Sequence, residues 1–118
     1  MKNPRSIVVD PFYAMLYWVN LGNDLSEVSI EMMSMNTENR KILLNTGLRQ
    51  PLDLRIDFYD RKLYWSDINP GSISYIDLNN PTSQPSVIIS NKLLHPFSIA
   101  IFENKVAQVL FFSSLTLF

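Results

Sequence analysis

The 118 residues contain no cysteine, which excludes disulfides, zinc-thiolate sites and cysteine nucleophiles. The redox compartment stays open, because sheet-rich extracellular domains can do without disulfides. Histidine occurs once, at His95, and no G-x-S-x-G stretch exists for it to serve, so a serine-histidine-aspartate arrangement has no support. There is no Asp-x-Asp-x-Asp-Gly loop and no His/Cys spacing suited to a metal, and no cofactor is expected. Basic runs are missing too. Ten Lys and Arg against eleven Asp and Glu leave a formal net charge of -1, with no cluster able to neutralise several phosphates, so nucleic acid is not an expected partner. The opening Met-Lys-Asn-Pro-Arg lacks the apolar stretch and small-residue cleavage site of a secretory signal. The uncharged run from Val106 to Phe118 falls short of the roughly 18 residues that a spanning helix needs, so direct membrane insertion is not expected. N-glycosylation is not expected either, since Asn80-Pro81-Thr82 carries the forbidden proline.

What is present is apolar material and a period. A hydrophobic fraction of 47%, with 12% aromatics, suffices for a packed core rather than a disordered tail. Comparing the chain with itself, PRSIVVD from Pro4, PLDLRID from Pro51 and PFSIAIF from Pro96 start the same unit three times. Leu16-Tyr17-Trp18-Val19-Asn20 matches Leu63-Tyr64-Trp65-Ser66-Asp67 at an offset of 47, the offset that also separates Pro4 from Pro51. Ile30 to Asn36 aligns with Ile73 to Asn79 at an offset of 43, so the first copy carries four extra residues between Trp18 and Ile30. RKILLN from Arg40 and PSVIIS from Pro85 close the two units.

Each unit divides into four short runs rich in Val, Ile, Leu, Phe, Tyr and Trp, separated by Asp, Asn, Pro and Gly, which is the strand signature. The expected strands are Ile7 to Asp10, Leu16 to Val19, Val28 to Met33 and Lys41 to Leu44, then Leu54 to Asp57, Leu63 to Ser66, Ile73 to Asp77 and Val87 to Ser90. Ile99 to Phe102 begins a third set. The proline opening each unit sits at a first strand position, where its missing N–H breaks no ladder. Connections such as Asp10-Pro11-Phe12-Tyr13-Ala14 are short enough for hairpins, so neighbouring strands should be antiparallel. A four-stranded antiparallel unit repeating every 40 to 50 residues reads as a β-propeller blade. Adjacent residues of a strand point to opposite faces, so each Tyr-Trp pair makes both faces apolar, as a sheet packed between two neighbours requires.

Leu63-Tyr64-Trp65-Ser66-Asp67 resembles the YWTD signature of low-density lipoprotein receptor class B repeats, and Leu16-Tyr17-Trp18-Val19-Asn20 resembles it less closely. The phrases from Pro4 to Pro11, from Asn39 to Leu43 and from His95 to Val106 resemble that family as well, so the likeness covers about Pro4 to Val106. The resemblance implies an all-β fold: an incomplete six-bladed YWTD β-propeller of two four-stranded antiparallel blades plus the start of a third. Blades are expected at 4–50 and 51–95, the start of a third at 96–106, and a divergent apolar tail at 107–118. After Val106 no further Tyr-Trp phrase arrives, an ending expected of a truncated unit rather than of a designed terminus.

The resemblance further implies a protein-binding, non-catalytic segment of an endocytic or signalling receptor ectodomain, on the extracellular face of the plasma membrane or in endosomes. Its expected partners are the receptor's protein ligands, adjacent blades and EGF-like modules; a nidogen-like matrix propeller is the alternative. Tyr17, Trp18, Asn20, Tyr64, Trp65 and Asp67 are the expected structural motif. His95 is a loop position that the resemblance also links to acid-triggered ligand release, since a free imidazole titrates near pH 6.5. Asp10 with Asp57, Asn20 with Asp67 and Asn36 with Asn79 occupy repeat-equivalent places, which points to turn and blade-to-blade hydrogen bonding rather than to a paired acid and base. Arg5, Arg55, Arg61 and Lys62 are candidates for a polar rim facing a protein ligand. The cluster of Met32, Met33 and Met35 reads as a third strand whose register the insertion loosens.

Overall fold

The computed structural model describes residues 4–23, 27–68, 71–90, 96–102, 105–110 and 115–117. Strands β1 (Pro4–Asp10), β2 (Met15–Asn20), β3 (Ser29–Ser34) and β4 (Arg40–Leu44) form one antiparallel sheet in sequence order. A second sheet repeats it with β5 (Pro51–Asp57), β6 (Lys62–Asp67), β7 (Ser72–Asp77) and β8 (Ser86–Ser90). A third follows with β9 (Pro96–Phe102), β10 (Lys105–Leu110) and β11 (Leu115–Leu117). The fold is all-β, and Pro4, Pro51 and Pro96 each occupy the first position of their strand. The segment expected as a divergent tail contributes four of the six residues of β10 and all of β11.

The hairpins β1–β2 and β5–β6 are built alike. In each, the last turn residue adopts a left-handed conformation, Ala14 at φ 52° and Arg61 at φ 55°. The strand-ending aspartate ties the turn down: Phe12 N–H donates to Asp10 Oδ1 at 3.0 Å, and Tyr59 and Asp60 N–H donate to Asp57 Oδ1 at 3.0 and 3.2 Å. The third pair of equivalent residues behaves otherwise. At the β3–β4 and β7–β8 turns the acceptors are Ser34 Oγ and Asp77 Oδ1, and Asn36 and Asn79 serve as backbone donors.

Register assigns the faces. Val8, Tyr17 and Met32 lie across from one another, as do Ile7, Trp18 and Glu31 on the opposite side. Tyr17, Val19 and Ile30 of the first sheet pack against Leu54, Leu63, Trp65 and Ile76 of the second. The other face of the second sheet, with Tyr64 and Ile73, meets Ile99 of the third. Each tyrosine therefore faces the following sheet and each tryptophan the preceding one. All four are buried, with Tyr17 3%, Trp18 1%, Tyr64 6% and Trp65 4% exposed. The insertion in the first unit does not loosen its methionine strand. β2 and β3 pair without a break from Met15↔Ser34 to Asn20↔Ser29, and the connection between them absorbs the extra residues. The one irregularity there, a bulge between β3 and β4 at Ile30/Glu31, recurs at Ile73/Ser74 and so belongs to the repeat.

Candidate functional site

The sheets are joined along three polar lines. On the innermost strands, Leu54 N–H donates to Ser6 Oγ at 3.3 Å and Ile99 N–H donates to Asp53 Oδ2 at 2.9 Å. Ser6 and Asp53 are both third residues of their units, so each unit offers an acceptor to the fourth backbone N–H of the next. Ser6 Oγ also donates to Asp53 Oδ1 at 3.4 Å.

The last residue of each Tyr-Trp motif forms the second line. Asp67 accepts the N–H groups of Arg49 at 2.9 Å and Gln50 at 3.0 Å, fixing the chain as it passes from the first sheet into the second. Asn20 stands at the equivalent place in the first unit. Its Oδ1 accepts from Gly22 N–H at 3.2 Å and its Nδ2 donates to Glu31 Oε2 at 2.9 Å. Glu31 is buried, so an amide donor suits this position where a second carboxylate would not. Arg40 completes the set, bonding Glu31 Oε1 through Nε at 3.0 Å and Nη2 at 2.9 Å, with its guanidinium 5.6 Å from the Trp18 ring.

The third line crosses at the hairpin turns. Arg61 of the second unit reaches back to Asp10 of the first, Nη1 to Oδ2 at 2.7 Å, with the Arg61 and Asp10 side chains 14% and 0% exposed. The guanidinium lies over the Tyr13 ring at 4.2 Å, and its charge acts on the Tyr17 phenol. Burial and the Asp10 carboxylate push the Tyr17 phenol above its ordinary value, and Arg61 partly offsets them. Tyr64, the equivalent residue, is raised by burial and then by Asp57, Tyr75 and Asp60.

Above this pair the turn aromatics reach solvent: Phe12, Tyr13, Phe58 and Tyr59 are all exposed, Tyr59 at 91%. Phe12 and Phe58 meet edge to face at 5.6 Å, and the four rings with Arg61 line a groove of about 590 Å³. Sequence reasoning missed this groove, whose signal was two aromatic residues in each equivalent turn. It also placed Arg61 and Lys62 on a free polar rim. The structure corrects this: Arg61 is committed to Asp10, and the Lys62 ammonium sits 4.7 Å from the Tyr75 ring. Arg55 pairs with Asp53 at 3.1 Å. His95 lies outside the described residues. Among the described residues no group of three His, Cys, Asp or Glu side chains could hold a metal ion.

Residues 61–103 match the family described as low-density lipoprotein receptor repeat class B. Over that stretch the chain resembles a low-density lipoprotein receptor class B repeat. It is 28% identical over 97 residues to the human low-density lipoprotein receptor-related protein 5-like protein, covering 82% of this chain and 36% of that one. With the vitellogenin receptor of Solenopsis invicta it shares 25% identity over 103 residues, 87% of this chain and 6% of the receptor. Among solved structures, a chain of a nidogen/laminin complex superposes with a TM-score of 0.80 at 26% identity, covering 98% of this chain and 42% of that one. The chain thus spans about a third or less of the curated relatives it matches, and its three sheets are part of a YWTD β-propeller.

Proposed function

We propose that these class B repeats form part of a protein-binding, non-catalytic propeller in the extracellular portion of an endocytic or signalling receptor. The carrying observation is the exposed aromatic groove of Phe12, Tyr13, Phe58 and Tyr59, since exposed aromatics around a polar anchor suit a protein interface. Tyr17, Trp18, Asn20, Tyr64, Trp65 and Asp67 build the blades rather than touch ligand. The blades run over 4–50 and 51–95, a third starts at 96–106, and 107–118 is its divergent end. Partners are protein ligands of the receptor, neighbouring blades and EGF-like modules. His95 releases ligand by charging in endosomes, as an imidazole does near pH 6.5. The relatives named for receptor roles support this reading.

A matrix role is the second reading, favoured by the likeness to the nidogen/laminin complex. Expressing the full-length protein on cells with a surface tag separates the two. Internalisation of the tag with bound protein supports the receptor; deposition in detergent-insoluble matrix supports the alternative. Replacing Phe12 and Tyr59 by alanine should lower protein capture at unchanged surface expression, and unaltered capture would remove the groove from the argument.

A further inference from the structure

The lining of the groove between the first two hairpin turns limits what it can hold. Phe12 and Tyr13 come from the first sheet and Phe58, Tyr59 and Arg61 from the second, with Phe12 and Phe58 in edge-to-face contact across the seam. The groove therefore exists only where these two sheets are stacked. The aromatic turn is not repeated in the third unit, where Phe102 and Lys105 pair across Glu103 and Asn104 alone. Electrostatically the lining is neutral. No carboxylate lines it to meet a basic side chain, and its one cation, Arg61, is already paired with Asp10 at 2.7 Å and stacked on Tyr13 at 4.2 Å, so an acidic or phosphorylated segment finds no free charge. Nor do the turns offer a strand edge. The N–H groups of Phe12, Tyr59 and Asp60 are spent on Asp10 and Asp57, and the carbonyls of Ala14 and Arg61 accept from Met35 and Leu78 N–H. No aliphatic side chain lines the groove, as the apolar face of an amphipathic helix would require. What it offers is ring faces and two phenols, Tyr13 and Tyr59, both exposed. These suit an uncharged ligand that brings carbonyl acceptors and few N–H groups of its own.

We propose that this groove binds a proline-rich, extended segment of a protein partner. Proline lacks the backbone N–H that these turns could not satisfy, its ring packs on aromatic faces, and the polyproline II helix turns its carbonyls outward, where phenol hydroxyls donate to them. Such a segment is already formed before it binds, so an open groove can take it without the ordering cost of a flexible chain. The complementarity is one of charge as well as shape: a neutral lining meets a neutral ligand. This rests on the protein-binding reading and names the kind of partner that the same groove takes.

The test is fluorescence anisotropy of dye-labelled decaproline titrated with the purified 118-residue chain, with a dye-labelled Gly-Ser decapeptide as control. Decaproline should bind saturably and the control should not. Phe12→Ala and Tyr59→Ala should each weaken binding roughly tenfold or more, and Tyr59→Phe, which keeps the ring and loses the hydroxyl, by a smaller factor. Ile7→Lys, which removes an exposed apolar side chain outside the lining, should leave binding unchanged. No binding by a chain whose circular dichroism shows it folded, equal binding of both peptides, or undiminished binding by the two alanine variants overturns the proposal. So does loss of binding in Ile7→Lys, which would assign it to the bare face of β1. If the alanine changes lower protein capture on cells while decaproline fails to bind, proline recognition falls and the protein-binding reading stands. Decaproline bound through Tyr59, with capture on cells unaltered by the alanine changes, supports the site and removes it from the receptor reading.

Discussion

At the scale of single residues, the tyrosine and tryptophan of each motif do different work. Trp65 is sealed between the first two sheets, so Trp65→Ala should cost about 3–5 kcal/mol, read as a lowered urea midpoint. An unchanged midpoint would place the ring outside the core. Tyr17 and Tyr64 make a second prediction through their phenols, both raised mainly by burial. A raised folded value means that the native state keeps a proton which the unfolded chain releases near pH 10. Their contribution is complete below pH 10 and is lost as pH rises through the folded values. Ultraviolet titration of the five tyrosines should show two ionising late, together with a fall in stability above pH 10. Tyr17→Phe should remove one late step, and five coincident titrations would contradict the burial assigned to both. The pairing of Tyr against Trp faces was legible in the sequence because strand alternation dictates it. Which neighbour each ring meets was not, since a period has no handedness until the sheets are stacked.

At the scale of the strand and its partners, Asn20 carries the sharpest test. Restoring the aspartate of the family motif there would set a carboxylate beside buried Glu31, where an amide now donates at 2.9 Å. Asn20→Asp should therefore destabilise the chain by about 1–3 kcal/mol, although it moves the sequence towards the YWTD signature it resembles. Adding Glu31→Gln should recover most of that loss in a double-mutant cycle, and a stabilised single mutant would refute the account. Strand positions and connections were readable from alternation, prolines and turn residues for β1 to β9, whose bounds differ from the expected ones by at most three residues at an end, whereas β10 and β11 lie largely where a divergent tail was expected. The networks were not readable in the same way. Asn20, Glu31 and Arg40 come together only after β2, β3 and β4 are in register. Arg61 meets Asp10 only because the second sheet sets its turn against the first. A reading confined to one unit sees a free arginine and a turn aspartate.

For the whole molecule, the decisive comparison is between equivalent residues of the first two sheets. Leu54, covered by the first sheet, is 0% exposed, while Ile7 at the matching place is 54% exposed and Val9 beside it 46%. No sheet among the described residues covers Ile7 and Val9. Trp18 on the same face escapes exposure because Arg40, locked to Glu31, lies over its ring, so the bare apolar surface lies at the two edges, on β1 and at Ile42 of β4. Terminal units of a stacked array stay soluble when their outer face is polar, and this one is polar only in its middle. The chain expressed alone should therefore self-associate, most strongly at high concentration, through contacts that mimic the packing of the second sheet on the first. Sedimentation velocity over a range of concentrations measures this, and Ile7→Lys should shift the population towards monomer without lowering the thermal midpoint, since Ile7 contributes little to the folded core. The same residues placed within a complete ring should not show the effect, because Ile7 would then be covered as Leu54 is. A monodisperse wild-type monomer with a cooperative melt would show that the Arg40–Glu31 cap suffices by itself, and that an apolar inner strand can stand at the end of such an array without a neighbour.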